Sequence, residues 1–562
     1  MEGAGPLTAI AARRSIPILG QNVGMLQPAT TEVLPSSAGR RQLASVDLGS
    51  NSFRVLIVDV HESSAGQHLR LLDQIKETVR LGAGLDQHRD LSQEAQQRAL
   101  QALGRFSERL RGFELDTVRA VATNTFRVAR NGPAFLREAG VTLGYPIEVI
   151  AGREEARLIY LGASHSLPLD HELRMIVDIG GGSTECIVGA DHEPRRRESF
   201  QMGCVALTQE FFPDGRITRN ALRKARLHCG ELLAAQVRAF RRLGWTYAVG
   251  TSGTAKSLWQ VGAAEFGHDA ITRESLGKIE AMALRAGSAS TLQAQGLKPE
   301  RQAVFCAGLA IMQAIFEEFQ IESMTYCDSA LREGILYDLL GRASGADSRE
   351  ITISHLVERY RMDDAHGRQV AAVARTLLTS LHAGKPDARQ LQMLEWAARI
   401  REIGSFIAHA DAHKHGGYIV AHADLPGFSS SDQSLLSTLV LGQTGGLRKL
   451  KLLASTARPS EGGHAFAWRE GAKRLGSTDE PRVEGWLLLL CLRLAVILQR
   501  RRDGRSTPIR IRPHSAGPAG GWIIELPEHW AEQHPLTNQS LQNEVAEWRS
   551  SGLFKQTGYD LT

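Results

Sequence analysis

Two short stretches of this chain follow one pattern, and that pattern limits the folds open to it. "SVDLGSNSFRVLIVDV" and "MIVDIGGGSTECIVGA" each read as an apolar strand, an aspartate, a polar glycine-bearing turn and a second apolar strand. Their aspartates, Asp47 and Asp178, lie 131 residues apart. A repeat of strand–turn–strand units at that distance points to two duplicated α/β halves. The stretches between them, such as "SQEAQQRALQALGRFSERLRGF", "VRAVAT", "IEVIAG" and "REEARLIYLGASHSL", alternate helical and strand periodicity.

Two later units, "YAVGTSGTAKSL" and "SMTYCDSALREGILYDLLG", run from strand into helix. After Gly341 the character changes. "RASGADSREIT" reads as a linker, and "VAAVARTLLTSL" and "MLEWAARIREIGSFI" have helical periodicity. Two strands, "PIRIRP" and "GWIIELP", and a helix, "NQSLQNEVAEWRSSG", close the chain. At 562 residues the chain is long enough for several cores. The expected division is a flexible leader over 1–41, α/β domains over 42–160 and 161–343, a helical domain over 349–485 and a small α+β tail over 486–562.

The formal net charge is only +5, so attraction to a polyanion must come from local clusters. The six cysteines (Cys186, Cys204, Cys229, Cys306, Cys327 and Cys491) form no CxxC pair and have no metal-ligand spacing. They are expected as buried thiols in a reducing compartment. "WLLLLCLRLAVIL", Trp486 to Leu498, is short for a membrane span and carries Arg493, which suits a buried core helix. The first forty residues lack the continuous apolar core of a signal peptide. The expected location is cytoplasmic, with peripheral membrane association as the other option.

Successive backbone N–H groups in a glycine turn form a nest for anionic oxygens. Gly49 and Gly180, Gly181 and Gly182 let the backbone approach a phosphate closely, and Ser50, Asn51, Ser52, Ser183 and Thr184 bring side-chain donors. Asp47 and Asp178 stand at strand ends, where a carboxylate holds Mg²⁺ directly or through water. Two such hairpins face to face would clamp a phosphate chain from both sides.

This paired-loop plan resembles the actin-like phosphotransferase fold of sugar kinases, chaperone ATPases and acetate kinases. Seven segments in order narrow it: "SVDLGSNSFR", "ATNTFRVARN", "VIAGREEARLIYLG", "VDIGGGSTE", "MGCVALTQEFFPDG", "GTSGTAKSL" and "LREGILYDLLG". Together they resemble the exopolyphosphatase / guanosine pentaphosphate phosphohydrolase family in its long, four-domain form, from about Gln42 to near the C-terminus. The resemblance implies two actin-like (ribonuclease H-like) domains, then an all-α degenerate HD-type domain and a small α+β tail. It also implies a homodimer, Mg²⁺ or another divalent cation, and hydrolysis of terminal phosphoanhydride bonds in inorganic polyphosphate with release of orthophosphate. Conversion of guanosine pentaphosphate to the tetraphosphate is the other reaction it allows, and a non-catalytic guanosine polyphosphate sensor is a third reading. An actin-like kinase would need a base for a substrate hydroxyl and a full adenosine pocket.

The family's catalytic glutamate maps onto Glu155 in "REEARLIY", leaving Glu154 a structural role. A glutamate there orients or deprotonates water, although two glutamates at a helix start also simply suit its positive end. Arg127 in "TNTFRVARN" matches an arginine aimed at the phosphates, and Arg54 is a weaker candidate. Asp178 and Glu185, with Asp47, are the metal candidates, while Gly250, Ser252, Gly253 and Thr254 are placed against a later phosphate or a nucleotide.

"DDAHGRQVAAVARTLL" and "WAARIREIG" resemble the HD-type helical fold, but Arg401-Glu402 stands where active members carry His-Asp, so His366 lacks its partners. The run holding His409, His413, His415 and His422 includes an i,i+4 pair that could chelate metal on a helix, although a structural role is the stronger expectation. Basic clusters at Arg448, Lys449 and Lys451, at Arg500, Arg501, Arg502 and Arg505, and at Arg195, Arg196 and Arg197 could be solvated faces. A long polyphosphate needs a basic track, and Arg448, Lys449, Lys451, Arg500 and Arg501 are the expected one. No zinc finger, aromatic RNA motif or helix-turn-helix is recognisable, so no specific nucleic acid is expected as a partner.

Overall fold

The computed structural model describes residues 41–63, 66–343, 347–381, 386–448, 450, 483–502, 509–513, 521–554 and 556–561. The leader expected over 1–41 lies outside them except for Arg41. The first half is built from β1 (Arg41–Leu48), β2 (Ser52–Ser63), β3 (Gly66–Thr78), α1 (Gln93–Arg109), β4 (Val118–Ala122), α2 (Asn124–Val128), α3 (Gly132–Leu143), β5 (Ile147–Val149) and α4 (Gly152–Ser164). Its sheet has the order β3-β2-β1-β4-β5, antiparallel from β2 to β3 and parallel from β1 through β4 to β5.

The second half repeats the plan with β6 (Arg174–Ile179), β7 (Thr184–Ala190), β8 (Glu193–Phe200), α5 (Cys204–Phe211), α6 (Arg219–Leu243), β9 (Tyr247–Thr251), α7 (Ser252–Phe266), β10 (Ile271–Thr272), α8 (Arg273–Ala286), α9 (Gln302–Phe319), β11 (Ser323–Tyr326) and α10 (Leu331–Ala343). The order is β10-β11-β9-β6-β7-β8, with β6, β7 and β8 an antiparallel meander and β6, β9 and β11 parallel. A meander flanked by parallel strands thus occurs twice. The repeated aspartate motif forms the first hairpin turn of each copy.

Strand alternation sends successive side chains to opposite faces of a sheet, and both sheets use both faces. Ala44, Val46 and Leu48 meet α1 and α3, whereas Leu43, Leu56 and Val58 meet Leu336, Leu339 and Leu340 of α10. In the second sheet Met175 and Val177 join the core of α5 to α9, whereas Ile176, Ile187 and Val249 meet α4 and α10. The pair α4/α10 therefore lies between the two sheets. The chain reaches this arrangement by returning to the first half at its residue 331. α9 is an apolar helix buried within the second half.

The two sandwiched helices cross at glycine. A Cβ on Gly162 would stand 1.9 Å from the Ala330 carbonyl oxygen, and one on Gly334 1.8 Å from that of Leu158. Backbone touches backbone there, so no rotamer change makes room.

After α10 come α11 (Ser348–Arg359), α12 (Asp364–Leu381), α13 (Ala388–Ile400), α14 (Ala412–His422), α15 (Ser430–Gly442) and α16 (Val483–Leu498). A three-stranded sheet follows, with the order β12 (Arg510–Pro513), β13 (Gly521–Leu526) and β14 (Gln556–Leu561). It is accompanied by α17 (Glu528–Gln533) and α18 (Pro535–Ser551). One core joins residues on both sides of position 485, from Ile353 through the α16 leucines to Trp522, Trp548 and Phe554. The apolar run Trp486–Leu498 is a buried core helix, and Arg493 inside it is paired with Glu544. All six cysteines are buried and unbridged.

Gly334→Ala is expected to lower stability by about 1–3 kcal/mol or more through overpacking. Thermal unfolding of the variant against the unchanged protein measures it, and an unchanged Tm would show that the α4/α10 crossing yields without cost.

Candidate active site

The two hairpin turns meet. A Cβ built on Gly181 would lie 3.2 Å from Ser50 Cβ, and one on Gly182 would lie 2.9 Å from Asn124 Oδ1 and 3.0 Å from Ser50 Oγ. A side chain at Gly181 or Gly182 would crowd Ser50 and Asn124, so glycine lets the two loops approach this closely. Asn124 Nδ2 donates to the Gly182 carbonyl at 3.2 Å and to Gln201 at 2.9 Å, tying the start of α2 to the second turn. Behind that turn, the N–H groups of Cys204 and Val205 donate to the Gly180 and Gly181 carbonyls.

The third glycine turn is fastened to the second aspartate. Thr251 Oγ1 and Ser252 Oγ donate to Asp178 Oδ2 at 2.8 and 2.6 Å. Ser252 has φ +63°, a left-handed conformation costly for a residue with a Cβ and held here by that hydrogen bond. Arg301 Nη2 donates to Thr254 Oγ1 at 3.0 Å.

Glu155 stands in the first turns of α4, where its charge suits the helix N-terminus. Gly152 at the helix start presses on β8, with its notional Cβ 2.6 Å from Ser199. Arg127 Nη1 donates to Glu155 Oε2 at 2.7 Å and to the Ile150 carbonyl at 2.9 Å, while Arg127 Nη2 is buried with no hydrogen-bond partner. Asp178 and Glu185 are direct cross-strand partners on β6 and β7, and Ser199 Oγ donates to Glu185 Oε1 at 2.7 Å.

Four carboxylates thus share one poorly solvated volume, and each has its pKa raised. Burial lifts Asp47 to about 7; Arg54 and Arg332 oppose the rise, and the Glu155 and Asp178 charges add to it. Burial also raises Glu155 against the pull of Arg127, and raises Asp178 against the two hydroxyl hydrogen bonds it accepts. Glu185 is raised well above the usual carboxylate range, by burial and then by Glu155 and Asp178. Asp47 Oδ1 is buried and accepts no hydrogen bond. An all-oxygen set of this kind suits a hard divalent cation. Among the described residues no three His, Cys, Asp or Glu side chains converge into a complete cage.

Two clefts flank this cluster. One, of about 1680 Å³, is lined by Arg127, Glu154, Ser199, Tyr145, Phe428 and Ser430 among others, and so runs from the reaction centre to the helical domain. The other, of about 370 Å³, is lined by Asp47, the Gly49–Ser52 turn, Gly180, Gly181, Ser252 and Gly253. It also carries the cations Arg54, Lys76, Lys256, Lys298, Arg301 and Arg332.

Most residues singled out in the sequence are therefore neighbours. Thr184 is an exception: it is fully buried and its hydroxyl donates to the Met202 carbonyl at 2.5 Å, so its side chain is committed to the core. Glu154 accepts two hydrogen bonds from Arg157, both at 2.8 Å, and one from the Gly427 N–H at 2.9 Å. Arg448, Arg500 and Arg501 line neither cleft, and Lys449, Lys451 and Arg505 lie outside the described residues. Arg196 donates to Gln236, Arg197 pairs with Asp424 at 2.7 Å, and Arg502 pairs with Glu402 at 2.6 Å. His366 is buried facing the Arg401 charge. His409 precedes α14, so its i,i+4 spacing to His413 does not put both on one helix. His415 lies on α14, and His422 at its end packs its ring on Tyr418. Sequence reasoning missed Arg301 and Arg332. Arg332 is the second residue of "LREGILYDLLG", and nothing local in the sequence places its charge beside the glycine turns.

Two duplicated sheets closing glycine turns over buried carboxylates and arginines define a phosphate-handling protein of actin-like fold. The sequence model of the Ppx/GppA phosphatase family matches residues 57–343, and the model of that family's domain III matches 348–462 and 470–545. The chain belongs to the Ppx/GppA phosphatase family. Among solved structures, an exopolyphosphatase from Cytophaga hutchinsonii is 23% identical, with 54% of this chain and 98% of that one covered and a TM-score of 0.49. The Aquifex aeolicus PPX-GPPA enzyme is 25% identical, with 53% and 99% covered and a TM-score of 0.45.

The raised Asp47 pKa has a consequence for stability. Between the ordinary carboxylate range and about pH 7 the folded protein holds a proton that the unfolded chain has lost. Its contribution is full at low pH and disappears as pH rises through 7. In metal-free protein, Asp47→Asn is expected to flatten stability over that window, by no more than about 4 kcal/mol. Denaturant unfolding at several pH values checks this, and an unaltered pH profile would contradict it.

Proposed function

We propose that the protein is an exopolyphosphatase that releases terminal orthophosphate from inorganic polyphosphate, with Mg²⁺ or a similar divalent cation as cofactor. The observation that carries this reading is the Arg127–Glu155 ion pair beside the two glycine turns. Phosphoanhydride hydrolysis needs a water in line with the bond, a group to orient it, and positive charge on the phosphoryl oxygens.

The arrangement supplies each. The Gly49–Ser52 and Gly180–Ser183 turns offer backbone N–H groups to the phosphate oxygens. The partnerless buried Nη2 of Arg127 offers a further N–H, and Arg suits phosphate geometry. Glu155 orients the water and accepts its proton, and burial makes it a stronger base than a solvated glutamate. Water oxygen bonds to the terminal phosphorus as the bridging P–O bond breaks, and that electron pair leaves on the shortened chain. Asp47 and Asp178 would hold the divalent cation, which neutralises phosphate charge when bound. A pure sensor has no need of a base poised at the clamp, so the pair favours hydrolysis over binding alone. Guanosine pentaphosphate would use the same groups and is the alternative substrate.

The test is orthophosphate release with Mg²⁺ from long-chain polyphosphate and from guanosine pentaphosphate, compared by kcat/KM. Polyphosphate is expected to be preferred. Glu155→Gln should lower kcat by about 10²–10⁴-fold with KM little changed. A variant of undiminished kcat would remove Glu155 from the chemistry.

A further inference from the structure

Neither the clamp nor the helical domain accounts for the outer face of α6. The inner face of this helix is core: Leu222, Ala225, Cys229, Leu233, Val237 and Phe240 are buried against the second sheet, on the side away from α4 and α10. Its outer face exposes Arg219, Arg223, Lys224, Arg238, Arg241 and Arg242, and Glu231 is the only acid in the helix. Six cations against one carboxylate give this face as much net positive charge as the whole chain, which is +5. The hydrogen bonds of Arg223 and Arg241 go to neutral atoms, Asn220 Oδ1 at 3.4 Å and the Glu318 carbonyl. Arg226, on the flank, is the contrast: it pairs with Glu317 at 3.4 Å. Arg241 and Arg242 suit the negative end of the helix, but Arg219, Arg223 and Lys224 crowd its positive end. Arg219 and Arg223, and Arg238 and Arg242, also stand four residues apart, a like-charge spacing that destabilises a helix. These placements work against the fold, and an anionic partner would relieve them.

The arrangement of the face says what kind of partner fits. At 1.5 Å per residue the strip is about 37 Å long. At about 100° per residue, Arg219, Arg223 and Arg241 run along one edge and Lys224 and Arg242 along the other, with Leu227, Ala234 and Arg238 between them. Leu227 is 58% exposed. An apolar residue between two rows of cations suits a flat anionic surface with an apolar layer beneath it. The long cationic side chains reach headgroup phosphates on either side while the leucine meets acyl chains. A bare phosphate chain has no use for that leucine, and α6 exposes no Phe, Tyr or Trp on which a nucleobase could stack.

We propose that the outer face of α6 is a membrane-docking surface that holds the protein reversibly on a bilayer containing anionic phospholipid. The six cations supply the attraction, and Leu227 enters the headgroup boundary. α6 lines neither cleft, so docking engages none of the groups that handle phosphate. The inference is independent of which substrate the clamp hydrolyses.

Co-sedimentation of the full chain with phosphatidylcholine vesicles, with and without phosphatidylglycerol, tests it. Binding is expected only to the anionic vesicles and should fall as NaCl is raised. Arg238→Gln with Arg242→Gln should weaken it about fivefold per charge, roughly 30-fold together. Arg70→Gln with Arg111→Gln, exposed in the first half, is the charge-matched control and should leave binding unchanged. Arg238→Lys with Arg242→Lys keeps the charge and should keep the binding, which separates lost attraction from lost structure. Leu227→Gln should weaken vesicle binding several-fold without altering the affinity for a duplex RNA. Equal binding to neutral vesicles would overturn the proposal, as would a control that loses as much as the α6 variant. It also falls if the lysine variant fails to bind, or if duplex RNA binds through the same cations more tightly than the vesicles do. Orthophosphate release in vesicle-free solution should be the same in every variant, and a slower release by the α6 variants would place the helix in substrate handling instead.

Discussion

The architecture hangs on one buried carboxylate. Asp338, in α10, is fully enclosed and accepts hydrogen bonds from Arg119 at 2.7 Å, Arg157 at 2.5 Å and Arg342 at 3.0 Å. Those arginines come from β4, α4 and α10, and Ser348 of α11 adds a hydrogen bond at 2.9 Å. Three acids, Asp338, Glu148 and Glu154, balance the three arginines. Burial alone would raise Glu148, but Arg119 and Arg342 outweigh it and hold its pKa down at about 2. A buried ion pair gains little over apolar packing, yet breaking one by removing a partner is costly because a bare charge remains. The network therefore specifies an arrangement: the first sheet, the sandwiched helices and the helical domain satisfy it only when all are in place.

The reaction centre is arranged on the opposite principle. Its four carboxylates are crowded and raised, and among their surroundings stand arginines with buried N–H groups that have no partner. Unsatisfied buried groups cost stability. The partnerless groups of Asp47, Arg127 and Arg332 stand next to a network whose acids and arginines pair with one another, as expected of a site completed by its ligand. Ser252, at positive φ, is one of the residues that hold Asp178.

Much of this was legible in the chain. The duplicated aspartate–glycine motif gave the two hairpins because strand alternation and turn chemistry are local properties, and the hairpins brought Asp47, Asp178 and their turns along. Glu155 and Arg127 could be named only through a resemblance, since nothing local to "TNTFRV" and "REEARL" says that they meet. What stayed hidden depended on long-range return. The return of α10 to the first sheet puts Arg332 beside Asp47, and Arg301 reaches Thr254 from 47 positions away. Thr184 shows the reverse error: a threonine in a phosphate-loop pattern reads as a donor, but its place on a strand turns the hydroxyl into the core. Basic runs are easy to see in the sequence for a related reason. In the run at 195–197, Arg196 donates to Gln236 and Arg197 pairs with Asp424, whereas the cations of the small cleft are scattered from Arg54 to Arg332.

Glu154 and Glu155 bring the two principles together. They are adjacent on one helix, both buried, and chemically identical, yet the fold gives them opposite tasks. Glu154 is fully matched, by two hydrogen bonds from Arg157 and one from the Gly427 N–H of the helical domain. Glu155 has one arginine and several like charges, so its proton affinity rises. Because consecutive residues on a helix point about 100° apart, fixing one carboxylate in an ion-pair network fixes the direction of the other. The helical domain lines the large cleft, and through Gly427 and Glu154 it also sets the bearing of the helix that presents Glu155 to the clamp. The matched network thus holds rigid the frame on which the unmatched one waits for substrate.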